Sequence, residues 1–354
     1  MKKILCLTDN LSSGGAQRQL VGLACLLFDR NYDVEVLTYH DIPFYKGELD
    51  EHNIKNITLN TRRNIVMRFY KLANEIKKFS PDVLIAYQET PSLLACLLKL
   101  LFPNLKLIVS ERNTTQKIKF HERLRFVLYQ LSKYVVPNSQ TQANFICNNY
   151  RFLQPKVRVI TNYVNTKAFV PIEHYNYHGR ILVVASSKIE KNFFRFVDAI
   201  SILKHENIKF RVNWVGILDN KMDEYRNYLK QKCVDDIMCI NPPCSNICEV
   251  YQQSDYFCLP SLFEGFPNVL CEAMSCGLPV VASRICDNPN IVEHGVNGFL
   301  FNPYSVPDIV EKIKQVLSLD EAELKKMRIY NRLKAESLFS PDTFINKYVD
   351  IIEN

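Results

Sequence analysis

No apolar run in this 354-residue chain approaches the roughly 20 residues that cross a bilayer; the longest, Pro91 to Phe102, holds about twelve and is broken by Lys99. A membrane-spanning helix is therefore not expected. CxxC pairs are also missing. The nearest cysteine cluster, Cys233, Cys239, Cys244 and Cys248, has no histidine close by, so the twelve cysteines read as small buried hydrophobes and not as zinc ligands. The chain opens without a secretory pattern, and reduced thiols in a cytoplasmic setting are the expectation. Zinc-finger, RNP-type aromatic and long basic motifs are lacking, which argues against nucleic acid as a partner. Short solenoid repeats and low-complexity tracts are absent too. What remains is 47% apolar and 23% charged, the balance of a globular chain, and the length predicts two domains.

Charge is shared unevenly between the halves. Residues 1–175 carry 24 Lys and Arg against 14 Asp and Glu, while residues 176–354 carry 20 against 23. The basic excess gathers in Arg62 to Lys78 and Lys117 to Lys133, both with apolar residues at helical spacing. Such helices either pack on a sheet as ordinary surface elements or lie on anionic lipid, with the apolar face down and Lys and Arg at the rim. A peripheral place on the cytoplasmic face of a membrane is the corresponding expectation.

The chain alternates short apolar runs with helical patterns. KKILCLTDN leads through a glycine turn into the helical LSSGGAQRQLVGLACLLFDR, and YDVEVLTYH follows as a strand. PDVLIAYQE, LKLIVSERN and YVVPNSQ continue the rhythm, which implies a parallel sheet. In such sheets ligands bind beyond the carboxyl ends of the strands, where Asn10, His40, Gln88, Glu111, Arg112 and Ser139 would gather. The rhythm pauses near Lys156 to Pro171, and the polar HYNYHG reads as a linker. It restarts with RILVVASSK, FRVNWVGI, YFCLPS and PVVAS as strands. Two doubly wound α/β domains follow, residues 1–168 and 169–338, with residues 339–354 a helix expected to pack back toward the first domain. A site in a cleft faced by both sheets is the natural inference.

Three stretches carry chemistry. GGAQRQ, Gly14 to Gln19, opens the first helix where backbone N–H groups can approach a phosphate, although it is not GxGxxG and equally reads as a tight turn. KIEKN, Lys188 to Asn192, sets two lysines three apart between strand and helix, suited to a diphosphate or to a solvated loop. FEGFPNVLCE places Glu264 in a loop and Glu272 inside the helix after it, with Pro267 near the first turn. The N–H groups of Phe266 to Val269 would direct positive charge at an anion between the two carboxylates. Two glutamates suit glycoside hydrolysis. They also suit binding the hydroxyls that flank a diphosphate.

The run Asp255 to Ser283, followed by IVEHGVNGFLF, resembles the signature region of the retaining GT-B nucleotide-sugar glycosyltransferases of family 4, whose hallmark is E-x7-E. The likeness extends to GGAQRQ, ITNYVN, SSKIEKN and WVG, nearly the whole chain in the right order. It implies a GT-B architecture of two Rossmann-like domains, the first taking a glycan acceptor and the second a nucleotide sugar. Glu264 would contact the transferred sugar and Glu272 the ribose. Lys191 would hold the diphosphate together with backbone at Gly15 and at Phe266, Pro267, Asn268 and Val269, and the base would lie near Ile240 to Pro242. Three departures stand out. Ser186 occupies the place of a customary arginine, for which Lys188 is the candidate substitute. Glu111 and Arg112 end the strand where many members carry a histidine, and Asn290 replaces a common glutamate. Gln17, Arg18, Glu111 and Arg112 are the candidate acceptor-side residues. The resemblance implies sugar transfer with retention, UDP-sugar as co-substrate, no resident cofactor and, without a DxD pair, no metal. The expected acceptor is a lipid-linked glycan of surface polysaccharide or glycoconjugate synthesis. A nucleotide-sugar epimerase of the same fold, a hydrolase and a catalytically silent glycan-binding partner of another transferase are the competing readings.

Overall fold

The computed structural model describes residues 1–61, 64–115, 117–173 and 177–354. Arg62 and Arg63 of the first basic stretch, and His174 to Asn176 of the expected linker, lie outside the described residues. The chain divides into two units, Met1–Tyr163 with Pro341–Asn354, and Val164–Ser340.

In the first unit the apolar runs become β1 (Lys3–Thr8), β2 (Asp33–Thr38), β3 (Lys55–Thr58), β4 (Val83–Tyr87), β5 (Lys106–Glu111) and β6 (Tyr134–Pro137). All pair in parallel, in the order β3-β2-β1-β4-β5-β6. The two-residue period of a strand splits β1 between two cores. Ile4 and Cys6 pack on one side with helix Gly15–Asp29 and the C-terminal helix Pro341–Glu353. Leu5 and Leu7 pack on the other with helices Ile65–Phe79 and Glu89–Lys99. Gly22 is demanded by close approach, because a Cβ there would lie 1.7 Å from the Tyr163 hydroxyl. The C-terminal helix is tied to this unit by Lys2 Nζ to Glu353 Oε2 at 2.6 Å and by a Tyr348–Tyr87 hydroxyl contact of 2.8 Å.

The second unit repeats the plan with β7 (Arg180–Val184), β8 (Arg211–Val215), β9 (Met238–Asn241), β10 (Tyr256–Leu259), β11 (Val280–Ser283) and β12 (Gly298–Phe301). Its order is β12-β11-β10-β7-β8-β9, also parallel throughout. In each unit the winding reverses at the centre of the sheet, between β1 and β4 and between β7 and β10. A crevice opens beyond the strand ends at such a reversal. The strand pattern misses three edge strands, β3, β9 and β12. β3 and β9 are partly or alternately exposed, so no buried apolar run marks them, whereas β12, GFLF, is buried but only four residues long.

Among the described residues no helix is long and apolar enough to cross a membrane. The two basic stretches form helices Ile65–Phe79 and Phe120–Leu128. Each buries part of its surface and exposes large apolar residues: Ile65, Val66, Met67 and Tyr70 in the first two turns of the first, Phe120, Leu124 and Val127 on the second.

Cysteines 6, 25, 96, 258, 271 and 276 are buried, but Cys233, Cys239 and Cys244 of the sequence cluster are exposed, against the expectation of buried hydrophobes. They sit on the rim around β9, where helix and strand ends meet solvent. Burial pushes the thiols of Cys6, Cys96 and Cys276 up to about 12. A thiol reagent applied to the native protein at pH 8 should therefore label Cys233, Cys239 and Cys244 first and the six buried cysteines only on unfolding. Peptide mapping that finds Cys271 or Cys276 among the fast sites would contradict this packing.

Candidate functional site

The site is built in the second unit where its sheet reverses. After β7 the chain passes Ala185 and Ser186, makes one 3-10 turn at Ile189–Lys191, and enters helix Phe193–His205 through Asn192. Asn192 adopts the left-handed conformation, φ 62, which asparagine tolerates better than most residues. Its buried amide donates to the carbonyls of Pro260 at 3.0 Å and Pro303 at 2.9 Å, fastening the lysine turn to the loops after β10 and β12. The start of the loop is fixed from the β8 side. Trp214 Nε1 donates to the Ala185 carbonyl at 2.9 Å, and Ala185 N–H donates to Val215 O at 2.9 Å. Gly216 follows with φ 117, and a Cβ there would stand 2.7 Å from the Ala185 oxygen.

After β10 the loop Pro260–Pro267 carries Glu264 to the same place. Leu262 N–H donates to Glu190 O at 2.7 Å, pairing this loop with the lysine turn. Glu264, 9% exposed, then accepts on Oε1 from Lys191 Nζ and from Ser261 Oγ, both at 2.6 Å. Charge-assisted bonds this short hold the carboxylate and the ammonium in register. Helix Asn268–Ser275 begins beside them with Pro267 at its N-cap. The sequence reading of four available N–H groups needs correction here: proline has none, and Asn268 donates to Phe266 O at 3.0 Å. Glu272 lies one turn along this helix, 3% exposed, and Tyr251 Oη donates to its Oε2 at 3.0 Å.

These elements enclose an open pocket of about 330 Å³ lined by Val184, Ala185, Ser186, Lys191, Val215, Gly216, Pro243, Glu264, Phe266, Asn268 and Val269. Ser186, the residue in the place of an arginine, is at its wall. Lys188 is exposed and lines a separate depression with Phe194, Arg195 and Tyr225. Ile240 lies on β9 with its side chain buried in the core, and Pro243 stands at the pocket instead. The pocket pairs one cation with one carboxylate beneath a helix N-terminus, a combination able to receive an anion and hydroxyls together.

The remaining candidates belong to the other unit. Gly15 begins helix Gly15–Asp29 after Gly14, whose φ of −92 any residue adopts, so handedness does not require glycine there. Gln17 is buried near Asn10, with Nε2 to Oδ1 at 3.4 Å, and Arg18 is half-buried one residue on. Glu111 and Arg112 turn inward. Glu111 is held by Tyr129, by Arg125 at 3.3 Å and by Gln142 at 3.4 Å, and burial raises its carboxyl above the usual range. Arg112 stacks 3.9 Å over Tyr87 and donates to Asn162 at 2.9 Å and to Tyr348 at 2.6 Å. Sequence reasoning missed Ser261, Tyr251, Asn192 and Trp214 as partners of the site. Ser261, Asn192 and Trp214 lie inside stretches that drew attention, and Tyr251 does not.

Residues 166–334 match the family model of glycosyl transferases group 1, and residues 13–168 match that of glycosyltransferase family 4. The chain is similar to the amylovoran biosynthesis glycosyltransferase AmsD of Erwinia amylovora, at 26% identity over 99% of this chain and 100% of that protein. It is 25% identical, over 77% of each chain, to a Campylobacter jejuni enzyme described as a GalNAc-alpha-(1->4)-GalNAc-alpha-(1->3)-diNAcBac-PP-undecaprenol alpha-1,4-N-acetyl-D-galactosaminyltransferase. Among solved structures, a glycosyltransferase from Rickettsia africae aligns with a TM-score of 0.88 at 21% identity, covering 99% of this chain and 98% of its own. HepE of Anabaena in complex with UDP aligns at 0.87 and 18% identity over the full length of both.

Replacing Gly216 with alanine should lower the unfolding free energy by about 2 kcal/mol or more, because it adds a methyl against a backbone oxygen at a positive φ. Urea denaturation reads this directly, and an unchanged midpoint would contradict the geometry of the pocket wall.

Proposed function

The chain belongs to the GT-B glycosyltransferases of group 1 and family 4, and from that premise we propose that it moves a sugar from a UDP-sugar to a hydroxyl of a glycan acceptor, with retention of anomeric configuration. The observation that carries the proposal is the contact of Lys191 Nζ with Glu264 Oε1 at 2.6 Å, set at the wall of one pocket beside the helix that carries Glu272. Lys191 meets the diphosphate as it departs and offsets the growing charge. Glu264 accepts hydrogen bonds from the transferred sugar, and Glu272 from the ribose. Retention follows when the acceptor hydroxyl attacks the face the diphosphate leaves, the departing phosphate taking the acceptor's proton. The protein then contributes positioning and electrostatics and needs no separate base. No metal is assigned, since the lysine supplies the cation and the sequence has no DxD pair.

UDP is chosen as the nucleotide because HepE, a neighbour in fold, is described with UDP. A role in surface polysaccharide or glycoconjugate synthesis, on a lipid-linked glycan, is supported by the Erwinia and Campylobacter relatives. It is also supported by the exposed apolar residues of helices Ile65–Phe79 and Phe120–Leu128, stretches that also carry the exposed Lys77, Lys78, Lys117, Lys119 and Arg123. Such stretches suit contact with an anionic membrane where a lipid-linked acceptor is presented.

Three measurements test this reading. A screen of UDP-, GDP- and ADP-sugars should find one that stabilises the protein, by about 2.7 kcal/mol at a hundredfold excess over Kd; no stabilisation by any of them would remove the nucleotide-sugar assignment. With that donor, Lys191→Ala should lower kcat by about 10²–10³-fold while turnover of the wild-type protein survives EDTA. Activity restored after chelation only by Mg²⁺ or Mn²⁺ would overturn the metal-free mechanism. In liposome flotation the protein should rise with vesicles containing anionic lipid, and failure to bind them would remove the membrane contact.

A further inference from the structure

We infer that Tyr251 is a positioning residue for nucleotide recognition: its phenol orients the Glu272 carboxylate that receives the ribose hydroxyls. The inference rests on the nucleotide-sugar reading above and concerns a residue outside the pocket wall.

Tyr251 lies on the short helix Ile247–Gln252 and is fully buried. Its ring packs against Phe169 and Phe257, with centroids 5.7 and 5.8 Å away. A fully buried ring packed against two aromatic neighbours leaves the phenol little freedom except rotation of its proton. The hydroxyl stands 3.0 Å from Glu272 Oε2 and 3.2 Å from the Val269 carbonyl. A phenol has one proton to give, and the carboxylate is the stronger acceptor.

Val269 and Glu272 are three residues apart, so they share a face of helix Asn268–Ser275. The phenol therefore grips the helix at the turn whose first residues reach the pocket. Val269 lines that pocket, and Glu272 follows three residues on along the same helix. A carboxylate only 3% exposed is costly without donors, and one donor held by a rigid ring also sets the direction of the carboxylate. The neighbouring thiols of Cys248 and Cys271 are pushed up, first by burial and then by the Glu272 charge, so they stay protonated beside it. Aromatic packing alone would need only phenylalanine at this position. The hydroxyl is explained by what it holds.

Isothermal titration of the wild-type protein, Tyr251→Phe, Glu272→Gln and the double variant decides the matter. The probes are UDP, GDP and ADP, each beside its 2′,3′-dideoxy counterpart. For the nucleotide that binds, Tyr251→Phe should weaken affinity about tenfold, and the loss should shrink to near onefold with the dideoxy form. Donor KM should rise by a similar factor with kcat changed less than about twofold. The double variant should bind no worse than Glu272→Gln, because the phenol acts through that carboxylate. Glu272→Gln keeps the phenol in place and should show the same ribose-selective loss, which keeps the test open if Tyr251→Phe folds poorly. Equal affinity in Tyr251→Phe and wild type, equal losses for ribose and dideoxy forms, or additive losses in the double variant would each overturn the inference alone. A wild-type protein that binds none of the nucleotides would overturn the nucleotide-sugar reading itself.

Discussion

The second unit is organised around one ion pair, Lys191 with Glu264, drawn to 2.6 Å and shared with the Ser261 hydroxyl. Neither partner sits on a strand or a long helix. Both ride on loops, and loops hold a geometry only when their backbone polar groups are committed elsewhere. That commitment is visible. Asn192 ties the lysine turn to Pro260 and Pro303, Leu262 ties the glutamate loop to Glu190, and Trp214 holds Ala185 from beneath. Remove these anchors and the charges would still be present in sequence but not in register.

The pair would also suit the proposed ligand, a group that is both anionic and rich in hydroxyls. With the side chains of Lys191 and Glu264 only 19% and 10% exposed, their attraction is less screened than that of a surface pair. A bound diphosphate would compete for the ammonium, leaving the carboxylate to accept hydroxyl donors. The helix carrying Glu272 adds its positive end beside them. Ser186 then needs no charge of its own to be useful at the wall, although a member of the family with arginine there would hold the anion more strongly.

How much of this was legible in the sequence depended on burial. Strands such as β1, β4, β5 and β10 are buried throughout or nearly so and announce themselves as apolar runs. The edge strands β3 and β9 do not, because β3 buries no residue fully and β9 alternates buried with exposed ones, and the buried β12 is too short to stand out. Glu264, Glu272 and Lys191 were singled out by the resemblance to the E-x7-E family, since spacing alone left the glutamates open to hydrolysis and KIEKN open to a solvated loop. Tyr251 was not: it lies 21 residues before Glu272 and meets it only through the fold. Free N–H groups at the start of the helix were overcounted, since a sequence pattern cannot show that Asn268 turns back to Phe266. Glu111 and Arg112 looked like strand-end ligands, and tertiary partners draw both inward instead.

The central claim is that a nucleotide sugar sits in the second unit with its diphosphate on Lys191. A co-crystal structure with an intact UDP-sugar, or with the donor that the binding screen selects, tests it most directly. The account predicts the diphosphate within hydrogen-bond distance of Lys191 Nζ, the sugar against Glu264 and the ribose toward Glu272. A nucleotide bound in the depression beside Lys188 and Arg195, with the Lys191–Glu264 contact undisturbed, would contradict it.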